Sequence, residues 1–447
     1  MVFSHRMSST AFSRLNSARR PLLVSAALLL GGLAALRGQT ESFVGDPISV
    51  PLTVSAFEEH SPYEYLRYAS DPSWGYAQAL REKPASQIKS VPDLESPTYY
   101  RIPLGNREFL AILDVGKEAE KAALYIDFEG QGLFEAIKGI EGVDEYKNRN
   151  PALPYAKFQF GPITLPKTGE AVAGPVEVMV SCNVNKKGTN IVPYLRLAPQ
   201  KFVSGKLRMG SGEYAVAFVE GAFSGRFQTF QPDPSIAPPA RARDQRFGAT
   251  RMGIDLDKNG KFDWAKEIFP LVDLVRINEN YYRVNIAPDG SEAKFQEAKP
   301  ELGLFDTKCP GMEMFVTSDK CAALLAANAD GKWELPPGKY TTQSFGLSRS
   351  VGDEKWTLAG SQPNQARYFE IKARTPAVLP LGPPFALGYS VDKASGEAVS
   401  IGLKVAGLSG ETYAAGATKG QRQEPAPQFT IISEAGDNLA QGSFEYG

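Results

Sequence analysis

Histidine is almost missing from this chain of 447 residues: His5 and His60 are the only two. A Ser-His-Asp or Cys-His arrangement therefore has a single candidate base beyond the N-terminal region, and a multi-histidine zinc or iron centre is excluded. Cysteine is scarce too. Its three copies include no C-x-x-C pair, so thioredoxin-type redox chemistry has no support. Surplus charge is also lacking: 49 Lys and Arg stand against 50 Asp and Glu, for a net charge of −1. No basic excess is available to hold a nucleic-acid backbone or an anionic membrane, and no nucleic-acid partner is expected.

What is present is ordinary globular material rich in turns. Apolar residues make up 43% and charged residues 22%, so disorder is not the default. Glycine (42) and proline (33) together exceed their usual share of about 12%, and 18 Tyr and 25 Phe accompany them. This mixture favours an all-β protein. At the start, Arg14, Arg19 and Arg20 precede an apolar run from Pro21 to Leu36. A basic stretch followed by about 15 apolar residues has the layout of a secretory signal peptide, with cleavage expected between Ala35 and Thr40. A membrane anchor needs about 20 apolar residues, and this run contains Gly31 and Gly32. No later stretch is apolar enough to span a bilayer, so no membrane span is expected after cleavage, and localisation is expected to be secreted, periplasmic or at the cell surface.

The cysteines are read against that compartment. Cys309 and Cys321 bracket a short loop suited to a disulfide in an oxidising space. Cys182 sits where residues 176, 178, 180, 182 and 184 form one face of a strand, and is expected in the core. Short alternating runs bounded by Gly, Pro, Asn or Asp recur from Tyr99 onward, which is the pattern of sandwiches. Before them, Ser61 and Pro62 read as the start of a short helix to Tyr68, and Ser73 to Arg81 as a second helical piece. The run from Cys321 to Ala327 also reads as helical.

A diverged repeat is visible. Ala123 to Glu135 aligns with Arg251 to Asp263, each a strand entering a Gly-bearing, carboxylate-rich loop followed by Phe and an acid. A period above 100 residues means tandem domains rather than a solenoid. In the second copy Asp255, Asp257, Asn259 and Asp263 occupy positions 1, 3, 5 and 9 of an EF-hand-type calcium loop, with Gly260 at position 6 and the Lys261 carbonyl at position 7. Calcium wants six to eight hard oxygens, and the glycine permits the turn that folds alternate side chains inward. Lys266 stands at position 12, and the nearest acid, Glu267, lies one residue late. Asp127, Glu129 and Glu135 form a degenerate equivalent, weakened by Gln131. The alternative to a metal is a charged Asn-Gly turn in a hairpin. A glycosidase pair would need two carboxyls about 5–10 Å apart across a sugar, whereas one glycine turn aims these acids at one point.

Two further clusters have plain readings. Tyr63, Tyr65, Tyr68, Trp74 and Tyr76 can form an aromatic platform for sugar rings or anchor the N-terminal segment to the body. Arg241, Arg243, Arg246 and Arg251 surround a Pro-rich loop that reads as solvated.

From Asp330 the chain reads Gly, Lys, Trp333, Glu, Leu335, Pro336, Pro337, Gly338, Lys, Tyr340. This resembles the hairpin of carboxypeptidase-regulatory-like and transthyretin-like sandwich modules, and the terminal segment resembles the Ig-like end unit of secreted bacterial multi-sandwich proteins with DxDxNG calcium loops. The expected organisation is a signal peptide over 1–39, a partly helical N-terminal extension over 40–95, sandwich repeats over 96–200 and 201–300, a regulatory-like module over 301–376 and an Ig-like module over 377–447. The expected role is a non-catalytic structural or binding protein stabilised by calcium, with an extracellular protein or polysaccharide as partner. The alternative is a carbohydrate-binding or carbohydrate-processing secreted protein.

Overall fold

The structure, a computed structural model, describes residues 42–444 apart from 59–62, 64–65, 67–77, 81–82, 92, 105–106, 116–121, 139, 143–154, 165–175, 186–193, 222, 230–249, 264–265, 363–367, 394–398, 415 and 421. The expected signal peptide, most of the two helical pieces, four of the five crowded aromatics and the Pro-rich loop with Arg241, Arg243 and Arg246 lie outside the described residues. No helix among the described residues is long and apolar enough to cross a membrane.

The protein is all-β, with several mainly antiparallel sheets packed as sandwiches. In the first sandwich the sheet Gln78–Ala79, Pro97–Leu104, Arg107–Val115, Ala122–Asp127, Glu135–Lys138 shares a core with the sheet Tyr194–Pro199, Glu177–Asn185, Tyr155–Thr164, Ile140–Gly142. Alternation does the work: Leu113, Leu124 and Ile126 meet Phe158, Phe160, Val178 and Val180 in one buried layer. Cys182 lies in that core, on the expected face.

The second sandwich repeats this order strand for strand. Thr53–Ala56, Lys201–Met209, Gly212–Val219, Arg251–Ile254 and Ile268–Pro270 form one sheet; Ser42–Pro51, Glu292–Lys299, Asn280–Ile286 and Leu274–Ile277 lie in the other. Both edge strands come from far upstream. Ser42–Pro51 pairs with Glu292–Lys299, and Thr53–Ala56 pairs with Lys201–Ser204. In place of a partly helical piece, Gln78 and Ala79 pair with Arg101 and Tyr100 as a short strand.

The third region shares a sheet with the second, because Leu274–Arg276 pairs in parallel with Cys321–Ala323. Here the helical expectation is corrected: Cys321–Leu325 is a strand. Cys321, Ala323 and Leu325 enter the third core, while Ala322 and Leu324 pack on the second. A strand buried on both faces reads as one apolar run, and periodicity cannot separate it from a helix. The Trp333 to Tyr340 hairpin is corrected too. Lys332–Leu335 pairs with Gly303–Asp306, whereas Gly338–Val351 belongs to the other sheet, so Pro336 and Pro337 turn a corner between layers. Pro336 still serves the turn, since its carbonyl accepts the Tyr340 hydroxyl at 2.9 Å. Beyond residue 385, Ala386–Lys393, Val399–Ala406 and Thr412–Tyr413 continue the edge of this sheet, and Gln428–Ile432 forms a two-stranded sheet with Asn438–Ser443.

The disulfide expectation is overturned. Cys182, Cys309 and Cys321 are all free and buried. Met312–Thr317 and Cys321–Leu325 form a hairpin with Thr317 opposite Ala322, which puts Cys321 at the turn and Cys309 beyond the far end. The intervening strand spans roughly 20 Å at about 3.3 Å per residue, against the 7 Å a bridge allows. Burial pushes the Cys182 and Cys321 thiols up to about 12 and raises that of Cys309. Ellman's reagent at mildly alkaline pH should therefore find no fast thiol in the folded protein and all three after unfolding without reductant. Recovery of one thiol under those unfolding conditions would restore the bridge.

Candidate metal centre

The carboxylate loop grows out of the second sandwich. Met252 and Ile254 are fully buried on strand Arg251–Ile254, and the Asp255 amide continues the sheet by donating to Ala215 O at 3.0 Å. The chain then turns on two left-handed residues, Lys258 at φ 59° and Gly260 at φ 80°. Phe262 anchors the return, packed over Gly253 and 5.3 Å from the Tyr63 ring. Any Cβ at Gly253 would stand 3.0 Å from the Phe262 ring.

Inside the turn, Asp255 is buried and its two oxygens accept the Asn259 and Gly260 amides, each at 3.0 Å. The exposed Asp257 accepts the Asn259 amide at 3.0 Å and the Asn259 side-chain nitrogen at 2.7 Å. Asn259 Oδ1 in turn accepts the Lys261 amide at 2.8 Å. Glu267 closes the loop from the other side: Oε1 accepts the Leu256 and Asp257 amides at 2.7 and 3.1 Å, and Oε2 accepts the Asp263 amide at 2.9 Å. Burial raises the Glu267 carboxyl above its usual range despite these three amides, and Asp257 adds to the rise.

Ligand atoms of Asp255, Asp257 and Glu267 all lie within 4.8 Å of one another. Asp263 is not in that group; its amide and carbonyl instead hold the turn that presents Glu267, whose amide donates to Asp263 O at 2.8 Å. Glu267 is the residue that loop counting sets aside as one position late. The signal that finds it is an acid four residues beyond the end of the loop, whose amide donates to Asp263 O. A carboxylate oxygen has two lone pairs: the two Asp255 oxygens and Glu267 Oε2 each accept one amide and keep capacity for a hard cation, whereas Glu267 Oε1 already accepts two.

The neighbouring Lys266 reaches Glu313 on strand Met312–Thr317 at 2.7 Å, linking the loop to the third region. Burial opposes the Lys266 charge, but Glu313, Asp263 and Glu267 together hold its pKa above the usual value.

The degenerate loop has the same skeleton. Asp127 is buried and accepts the Gln131 and Gly132 amides at 3.0 and 2.8 Å, four and five residues on, as Asp255 does. Gly130 and Gly132 have φ of 67° and 76°, matching Lys258 and Gly260. The repeat seen in the sequence is thus a repeat of backbone geometry. Among the described residues, the group of three acids whose ligand atoms converge belongs to the second loop alone. Compared with protein-family models, curated proteins and solved structures, the chain matches none.

Proposed function

We propose that this is an exported, non-catalytic structural or binding protein whose second sandwich is stabilised by calcium. The observation that carries the reading is the convergence of Asp255, Asp257 and Glu267 within 4.8 Å, on a loop that ties two regions together through Lys266 and Glu313. Three carboxylates converging on one turn repel one another until a cation lies between them. Asp255, Asp257, Glu267, Asn259 and the Lys261 carbonyl would hold the ion; Asp263 would support it by orienting Glu267. This donor set is all oxygen, which suits calcium over a soft metal. The resemblance to secreted DxDxNG sandwich proteins and the basic and apolar layout of residues 14–36 support the extracytoplasmic setting.

Affinity should be on the order of 10⁻⁴–10⁻³ M, the range of extracellular modules. At about 100 times Kd, calcium should add about 2.7 kcal/mol to the unfolding free energy, with a smaller effect from magnesium, which gives up its water reluctantly. Asp257→Ala removes an exposed ligand and should abolish the effect, while Glu129→Ala should leave it. The pH dependence has a definite sign. Since the folded Glu267 carboxyl binds its proton more tightly than an ordinary glutamate, acidification through that raised range stabilises the calcium-free protein and weakens calcium binding. Thermal melts identical in calcium and EDTA would return the loop to a self-bonded turn.

A further inference from the structure

The segment Ser42 to Phe57 is a strap across the second sandwich. Ser42–Val44 and Ile48–Pro51 pair with Glu292–Lys299, the Leu52 amide donates to Ser291 O at 2.9 Å, Thr53–Ala56 pairs with Lys201–Ser204, and the Phe57 amide donates to Gln200 O at 3.0 Å. It completes one sheet, crosses at Leu52 and completes the other. The corresponding edge places of the first sandwich are filled from nearby sequence, by Tyr194–Pro199 and Gln78–Ala79.

Its hold is mostly main chain. Most of strand Ser42–Pro51 is exposed; Val50 is buried, Ile48 is half-buried, and with Leu52 they form three alternate anchors in the core. Gly205 is shaped to this strap, since a Cβ there would lie 2.6 Å from Pro51 O and 2.8 Å from a Val50 methyl. Main-chain pairing for affinity and alternate pockets for specificity is the physics of β-strand addition. A groove of this kind makes the same contacts with its own strap and with the strap of another copy. Only the tether distinguishes them, as an effective concentration in the millimolar range.

We propose that Ser42 to Phe57 is an exchangeable strap, and that its groove is a docking site for the same strap of a second copy of this chain. The inference does not depend on calcium. Ser49 and Lys294 are exposed register partners, which supplies a probe. Full chains carrying only Ser49→Cys or only Lys294→Cys are mixed at near-millimolar concentration, warmed below the melting point and oxidised; the buried native thiols stay silent. A covalent heterodimer is expected in the mixture and in neither variant alone. In parallel, a fluorescein-labelled peptide of residues 42–57 should exchange into the full chain, and its Val50→Asp form at least tenfold less. No heterodimer together with no peptide uptake overturns the proposal, as does uptake that Val50→Asp leaves unchanged.

Discussion

Replacing Glu411 by alanine is expected to lower the unfolding free energy by about 4 kcal/mol, from the cost of leaving buried donors without their partner. The side chain has no exposed surface. Oε1 accepts the Gly382 amide at 2.7 Å and the Tyr413 hydroxyl at 3.0 Å, while Oε2 accepts the Ser409 amide at 2.9 Å. One carboxylate thus joins the turn after Leu381 to the turn before Thr412–Tyr413. Around it, Gly407 admits no side chain, because a Cβ would meet Glu411 Oε1, and the Ser409 hydroxyl donates to Pro380 O at 2.6 Å. Burial, then Glu411, raises the Tyr413 hydroxyl far above its usual range, so it remains the donor. Glu411→Gln keeps one acceptor but turns an amide toward the Ser409 donor, so its loss should fall between wild type and Glu411→Ala. Urea unfolding followed by tryptophan fluorescence measures both. A loss below about 1 kcal/mol for the alanine variant, the scale of one ordinary hydrogen bond, would sink the clamp.

Glu411 lies outside any sequence signal, and the reason is general: its partners are 2, 2 and 29 residues away, with no fixed spacing. Local features were legible. The alternation around Cys182 places it in a core strand, and the spacing from Asp127 to Gly132 and from Asp255 to Gly260 identifies two copies of one loop. Long-range pairing was not. Ser42–Pro51 is broken by Gly45, Asp46 and Pro47 and is mostly exposed, so nothing in its own pattern points to a partner at Glu292–Lys299. Cys321–Leu325 misled for the opposite reason, being apolar on both faces because two cores meet there. The Trp333 to Tyr340 segment shows a third limit: a Pro-Gly turn fixes a reversal of direction, and whether the strands pair or part depends on layers packed from elsewhere. Glu267 was hidden by counting, since the bond from its amide to Asp263 O brings in an acid that stands one position beyond the expected one.

The duplicated loops allow one substitution to be compared with itself. Asp127→Ala and Asp255→Ala should each cost about 2–4 kcal/mol, because both remove a buried carboxylate that accepts two backbone amides. In EDTA the two variants should be similarly destabilised, since the geometry is the same: acceptor at the first position, amide donors four and five residues on, left-handed backbone at the fourth and sixth positions. Calcium should separate them. Asp127→Ala retains the Asp255, Asp257 and Glu267 group, so millimolar calcium should still raise its stability by the wild-type increment. Asp255→Ala loses a member of that group and should gain nothing. The comparison also divides two roles that one residue combines in the second loop. An equal loss in EDTA assigns the amide clamp to the fold of both sandwiches, and the calcium increment assigns the extra charge of Asp257 and Glu267 to the ion. If Asp127→Ala were the variant that lost its calcium response, the degenerate loop would be the metal centre. If Asp255→Ala cost less than about 1 kcal/mol in EDTA, its two amides would have found water, and the clamp would be a surface turn rather than a support of the strand below it.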